Sequence, residues 1–296
     1  MIKKYLYLII TGLLFGSQFL ITLQAMQGYT ALDVALMRVL FGFIMVASLV
    51  PLFSSSEKSV KIKWYHYALI GFFEGTFPCV LVPWGQQQID TGIAAVIIST
   101  MPIFAMIFGP FLIKEERFSL FNIISILIGF IGVYVLIHPG GNGAGFFSKI
   151  IPELAILTAS ASWALSLVLI KKLPEMSPFI LTRNILLAAT IEIGLIWILF
   201  GDPMNFEIKT IPLMYGILLG VLNSGIVYIF YVLLIRAAGV NFAAFSNYLV
   251  PVVGGILGIA FLHETYETYE LIGFLIIMIG LLMNTVRDLY LYKNKG

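Results

Sequence analysis

Charge is what this chain has least of. Asp, Glu, Lys and Arg make up 11% of the 296 residues while apolar residues make up 60%, and the mean hydropathy is +1.02. A chain of that balance lies outside the range of water-soluble globular domains. It has one cysteine, Cys79, which excludes a disulfide framework and a thiolate metal cluster. The three histidines, His66, His138 and His263, lie far apart and at or near the ends of apolar runs, so there is no metal-ligand spacing and no nucleophile paired with a base. An intramembrane enzyme is therefore the weakest alternative, and no metal or cofactor is expected. The sequence G-x-x-x-x-G-K-[ST] is absent, which removes that route to ATP. Nucleic acid is not an expected partner.

What the chain does have is long apolar runs of about 20 residues, enough to cross a hydrocarbon core roughly 30 Å thick. Ten fit, at about 5–24, 32–53, 64–84, 91–113, 119–137, 153–171, 178–200, 211–235, 240–262 and 269–286. The first follows Lys3 and Lys4, but it is longer than a signal-peptide core and no A-x-A site ends it, so it reads as a spanning helix. The expected fold is an all-α integral membrane protein of ten transmembrane helices. Orientation follows from the cations of the short loops. With the N-terminus inside, thirteen Lys and Arg residues fall on cytoplasmic segments and only Lys149 and Lys209 fall outside, which places both termini in the cytoplasm.

The chain also repeats itself. A shift of 149 residues carries Gly71 onto Gly220, Ala94 and Ala95 onto Ala243 and Ala244, Pro102 onto Pro251, Gly109 onto Gly258 and Glu115 onto Glu264. With a small drift in register, Phe15 and Gly16 fall near Trp163 and Ala164, and Arg38 near Arg183. The expected organisation is a first five-helix repeat at 1–138, an outer connecting loop at 139–152 and a second repeat at 153–296. Five spans per half is an odd number, so the halves enter the membrane in opposite senses. Inverted repeats of this kind bind substrate near the midplane, between rocking halves.

Polar residues inside the spans supply the candidate site. Gly71, Glu74, Gly75 and Pro78 share one helical stripe. Pro78 has no amide hydrogen, so the carbonyl of residue 74 loses its helical partner and is offered beside the carboxylate, with the glycines leaving room. Glu74 is read as a substrate-amine or proton site, the competing reading being an ion pair with Arg38 or another cation. Its repeat mate is Asn223. Trp163 stands in midspan, where an indole N–H needs a partner. Gln18, Asn247 and Tyr231 complete the expected pocket, and Arg38 is read equally as a structural charge or a substrate contact. Pro78, Pro102 and Pro251 are candidate hinges; Pro102 and Pro251 free the carbonyls of Ile98 and Asn247. Thr30 to Asp33 is a capping box. Trp64, Trp84 and Trp197 are assigned to the aromatic belts. The glutamates at 264, 267 and 270 read as a solvated helix end, the KEER turn at 114–117 as a cytoplasmic ion-pair corner, and Glu192 is deep without an assigned partner.

The FGS of the first span, the intramembrane Arg38, AAVIISTMPIFAMIFG followed by KEER, Gly132 and Val133, and the second copy from Pro251 to Glu264 together resemble the EamA family of the drug/metabolite transporter superfamily. The resemblance covers essentially the whole chain, with LHETYETYE departing from a simple acidic turn. It implies a carrier of small metabolites in the bacterial inner membrane, often exporting amino acids or related compounds, through a central cavity built from both halves. The expected partners are a small-molecule substrate, the lipid bilayer and protons as a candidate coupling ion, in a monomer or homodimer. A multidrug carrier or a flippase for lipid-linked substrates is the alternative within the same superfamily.

Overall fold

The computed structural model describes residues 2–53, 62–113, 120–137, 146–174, 176–238 and 246–293. The KEER turn, Ala243 and Ala244 and the first part of the connecting loop lie outside them. Ten helical segments follow the ten apolar runs. α1 is Ile2–Met26, α2 Ala31–Phe53, α5 Leu120–Ile137, α6 Phe146–Lys171, α7 Pro178–Phe200, α9 Ser246–Leu262 and α10 Thr268–Lys293. α3 runs as Trp64–Gly71 and Phe77–Gln86 around a π-helical turn at Phe72–Thr76. α8 runs as Thr210–Gly220 and Val227–Ala238 around a second π turn at Val221–Ile226. α4 is broken into Thr91–Ile98 and Met101–Leu112. Seven of the ten segments are long and apolar enough to cross a membrane, and α5, α9 and α10 carry shorter apolar stretches at 123–136, 249–262 and 268–280. α6 begins at Phe146, so the connecting loop expected at 139–152 is shortened from its far end.

The repeat is written into the packing. α1 lies against α8 and α9 while its counterpart α6 lies against α3 and α4. α2 meets α8 as α7 meets α3, and the pairs α2–α7, α4–α9 and α5–α10 are each their own counterparts. Lipid gives no hydrophobic drive between helices, so close van der Waals approach must hold them, and small residues permit it. On α1, the glycines at four-residue spacing admit α9: a Cβ at Gly12 would sit 2.5 Å from Leu249 Cδ1, and one at Gly16 2.7 Å from Val253 Cγ1. α5 and α10 touch backbone to backbone, since a Cβ at Gly132 or Gly273 would lie 2.7 Å from the amide nitrogen of Ile277 or Leu136. Leu13, Phe111, Leu127, Ile131, Leu195 and Ile198 are exposed on the outer surface, as a lipid-facing shell requires.

The two aligned prolines do different things. Pro102 follows a break at Ser99 and Thr100, where the freed Ile98 carbonyl accepts from Ser160 Oγ at 3.2 Å. α9 stays helical through Pro251.

The capping box forms as expected. Thr30 N donates to Asp33 Oδ2 at 2.9 Å and Asp33 N to Thr30 Oγ1 at 3.2 Å. Trp197 is more than a belt residue, because its indole N–H donates to Asp33 Oδ1 at 2.6 Å.

Candidate functional site

The two π turns are themselves related by the repeat, for a shift of 149 carries 72 onto 221 and 76 onto 225. A π turn widens the helix by one residue and leaves carbonyls out of register with the amide ladder; such turns are frequent at functional sites. Each is completed by a donor from a neighbouring helix. In α3, the Glu74 carbonyl accepts from Trp163 Nε1 at 2.8 Å and the Phe73 carbonyl from Ser162 Oγ at 2.7 Å, both from α6. In α8, the Asn223 carbonyl accepts from Arg38 Nη2 at 3.5 Å, while Arg38 Nε donates to Ser224 Oγ at 3.2 Å. The indole N–H of Trp163 therefore finds its partner in the carbonyl that Pro78 leaves free.

Beside the α3 turn lies a cavity of about 140 Å³. Glu74, Trp163, Gln18, Asn247, Tyr231 and Arg38 all line it, brought from α3, α6, α1, α9, α8 and α2. The remaining wall is mostly apolar and aromatic, with Phe15, Met101 and Tyr228 among its members. Phe15 meets Tyr231 edge-on, ring centroids 5.9 Å apart. Leu167 and Ile170 near the end of α6, and Leu181 and Thr182 near the start of α7, carry the cavity toward that end of the bundle. A space of this size matches the roughly 150 Å³ apolar cavity that accepts benzene in another protein.

The acid and the guanidinium of the cavity each have their own partners. The Glu74 carboxylate is reached by the Ser166 hydroxyl of α6. Arg38 is 4% exposed, with its guanidinium carbon 5.6 Å from the Trp163 ring centroid, and among the described residues its Nη1 has no hydrogen-bond partner. Among the described residues no ion pair joins Arg38 to Glu74, and the donors of Arg38 go instead to Ser224 and Asn223.

Asn223 does not line the cavity. It is fully buried, and its side-chain amide donates to the Leu14 carbonyl and, at 3.5 Å, to Ser17 Oγ, both on α1. The three candidate hinge prolines also lie outside the lining. The glycines of α3 leave no room for a ligand: Gly71 and Gly75 face α7, where a Cβ at Gly71 would be 3.0 Å from Ala189 N and one at Gly75 2.5 Å from Ala189 Cβ. Ser166 and Thr182 carry no sequence signal that separates them from other small polar residues of membrane helices.

At the opposite end, Glu264 is not a solvated end. Its carboxylate accepts Thr91 N at 2.7 Å and Gly92 N at 3.2 Å, capping the first turn of α4 from the other half, and Tyr266 OH donates to it at 2.7 Å. Burial and then this hydrogen bond push the Tyr266 hydroxyl far up, so it remains a donor. His263, at φ 56°, turns the chain so that Glu264 N can reach Gly258 O at 3.2 Å and close α9. Gln86 Nε2 donates to the Phe19 carbonyl at 3.2 Å, a further tie between α3 and α1.

A duplicated, all-helical membrane protein that encloses a small, mostly apolar cavity with one acid and one guanidinium between its halves is built as a membrane transporter. The model of the EamA-like transporter family matches residues 2–138 and again 150–286, and the chain belongs to that family, which makes it a transporter and not an enzyme. It is 24% identical over 250 residues to the uncharacterized transporter YoaV of Bacillus subtilis (strain 168), covering 80% of this chain and 82% of YoaV. It is 26% identical to the uncharacterized inner membrane transporter YedA of Escherichia coli (strain K12), over 71% of this chain and 66% of YedA. A crystal structure at 19% identity matches 97% of this chain and 98% of its own with a TM-score of 0.67, which shows the fold alone.

Proposed function

We propose that the chain is a secondary transporter of the bacterial cytoplasmic membrane that moves a small zwitterion, an amino acid or related compound, by alternating access, with export the favoured direction. Its halves are inverted in the membrane and both termini are cytoplasmic. The observation that carries the reading is that one carboxyl group, Glu74, and one guanidinium, Arg38, whose Nη1 has no hydrogen-bond partner among the described residues, line a common cavity of about 140 Å³ that is mostly apolar and aromatic. Glu74 offers an acceptor to an ammonium, Arg38 a donor to a carboxylate, and Gln18 and Asn247 further polar contacts. The volume favours a compact solute over a lipid. Since consecutive spans alternate in direction, the cavity leans toward the cytoplasmic end, while the Glu264 cap closes the outer end.

Uptake of labelled amino acids into proteoliposomes, with and without a pH gradient, tests this. Each charged hydrogen bond to substrate contributes about 1.5–3 kcal/mol, so Glu74→Gln and Arg38→Gln should each weaken apparent affinity roughly 10- to 100-fold. If no amino acid is taken up by wild type, the reading fails in favour of other metabolites, drugs or lipids.

A further inference from the structure

Glu192 is a second intramembrane acid, and the cavity does not use it. It stands in α7 roughly 21 Å from Pro178 and 12 Å from Phe200 at 1.5 Å per residue, well inside the span. It lies on the flank of the packed face, partly covered, next to the exposed Leu195 and the buried Ile193. Its Oε2 meets Thr76 Oγ1 at 2.6 Å, and among the described residues this is its one hydrogen-bond partner.

Among the described residues no cation compensates it. α7 packs on α2, α3 and α8. On α2, Asp33 is engaged by Thr30 and Trp197, and Arg38 by Ser224 and Asn223. On α3, Glu74 turns to Ser166, His66 lies at the helix start against the Lys63 carbonyl, and Cys79 belongs to the apolar cluster with Ala189 and Ile193. On α8, Tyr228 and Tyr231 line the cavity, and Tyr215 packs against the α1–α2 core. On α7 itself, Arg183 is held by Asn184. A bare carboxylate at this depth with one hydroxyl for company is strongly disfavoured.

We propose that Glu192 is a proton-binding site at the α3–α7 seam, separate from the substrate cavity, whose occupancy is read by the π turn that presents Glu74. Thr76 is the last residue of that turn and is buried. Protonated, Glu192 can exchange hydrogen bonds with Thr76 and stay in the seam. Deprotonated, it draws water or a cation toward the seam, where Gly71 and Gly75 sit on Ala188 and Ala189 without slack. The α3–α7 contact then loosens beside the turn that brings Glu74 to the cavity. The link to the cavity rests on the transport reading; the proton site itself does not.

The test has two arms. A hydrophobic carbodiimide adds the O–H of a protonated carboxyl across one C=N bond, and the adduct rearranges to a stable N-acylurea, so labelling reads the protonated, lipid-accessible form. Purified wild type in detergent should carry the label on the peptide containing Glu192, less of it as pH rises; Glu74→Gln should keep it and Glu192→Gln lose it. In proteoliposomes, Glu192→Gln should retain substrate exchange across the bilayer and lose the dependence of net uptake on the pH gradient. Labelling absent from Glu192 at every pH overturns the site. Labelling present with gradient dependence unchanged in Glu192→Gln overturns the coupling, whatever the substrate proves to be.

Discussion

Replacing Trp163 by Phe should destabilise the protein through a carbonyl on another helix. The indole N–H donates at 2.8 Å to the Glu74 carbonyl, which has no amide donor of its own because Pro78 supplies none. Phenylalanine keeps a ring against Arg38 but removes the donor, leaving a buried acceptor unsatisfied at a cost of about 1–3 kcal/mol. Two other losses accompany it, the smaller ring and a weaker cation–π contact of about 0.5–1 kcal/mol, and neither involves Pro78. A double-mutant cycle with Pro78→Ala isolates the carbonyl, since alanine at 78 restores an amide hydrogen one helical turn on. In that background Trp163→Phe should cost about 1 kcal/mol less than in wild type, measured by denaturant unfolding in detergent micelles. Equal costs in the two backgrounds would refute the account of why a tryptophan stands in midspan.

Gly220→Ala should wedge α8 from α2 at the level of Arg38, because its Cβ would lie 2.9 Å from the Arg38 carbonyl and 3.0 Å from Gly42 N; overpacking of about 1–3 kcal/mol should show as a lowered melting temperature, and Gly71→Ala, its repeat mate against α7, should act alike. Glu264→Ala removes the acceptor for two amides of the first turn of α4, a loss of about 0.5–2 kcal/mol by analogy with cap deletions, and should raise the reactivity of a cysteine placed at Thr91 toward an impermeant thiol reagent in a Cys79→Ala background; unchanged reactivity would deny Glu264 a part in closing that end. Arg38→Lys should fall between wild type and Arg38→Gln in substrate affinity, because lysine keeps the charge but lacks the planar set of donors that reaches Ser224 and Asn223 together, a difference that equilibrium binding would resolve.

The ten helices were legible because hydropathy over 20 residues is a strong signal, and the repeat was legible because glycines and prolines recur where helices must approach or break. Residues that are costly in a membrane could be picked out one by one, and Glu74, Arg38, Gln18, Asn247 and Trp163 line one cavity, while Asn223 and Glu192 do not. Direction was harder. Gly71 and Gly75 share a sequence stripe with Glu74, and only the seating of α3 on α7 shows that they face away from the cavity. Glu264 looked like an exposed turn because its partners are backbone amides 173 and 172 residues away, which no side-chain pattern reports. The π turns left no sequence mark in α8, where Val227 stands in place of the proline that follows the turn in α3.

The divergence of the two π turns explains how a duplicated scaffold makes an asymmetric cavity. Residue 74 reaches the helix α6 and residue 223 reaches its counterpart α1, so the backbone frame treats the two positions alike. What differs is the chemistry at each. Asparagine can donate, and its amide is drawn to the Leu14 carbonyl and out of the cavity; a carboxylate can only accept, and Glu74 is left at the wall with Ser166. The carbonyls diverge in the same way, one met by a neutral indole and the other by a guanidinium that has a donor to spare. One acid and one base thus face a common space without joining each other. Asn223→Asp tests the point directly: an aspartate cannot donate to the Leu14 carbonyl, so it should leave α1, turn toward Arg38 and close an ion pair with it. Substrate binding should then fall with Arg38 still present, and recover in Asn223→Asp with Glu74→Gln only if total cavity charge, and not the position of the acid, is what the substrate reads. Failure to recover would show that the acid must stand on the α3 turn.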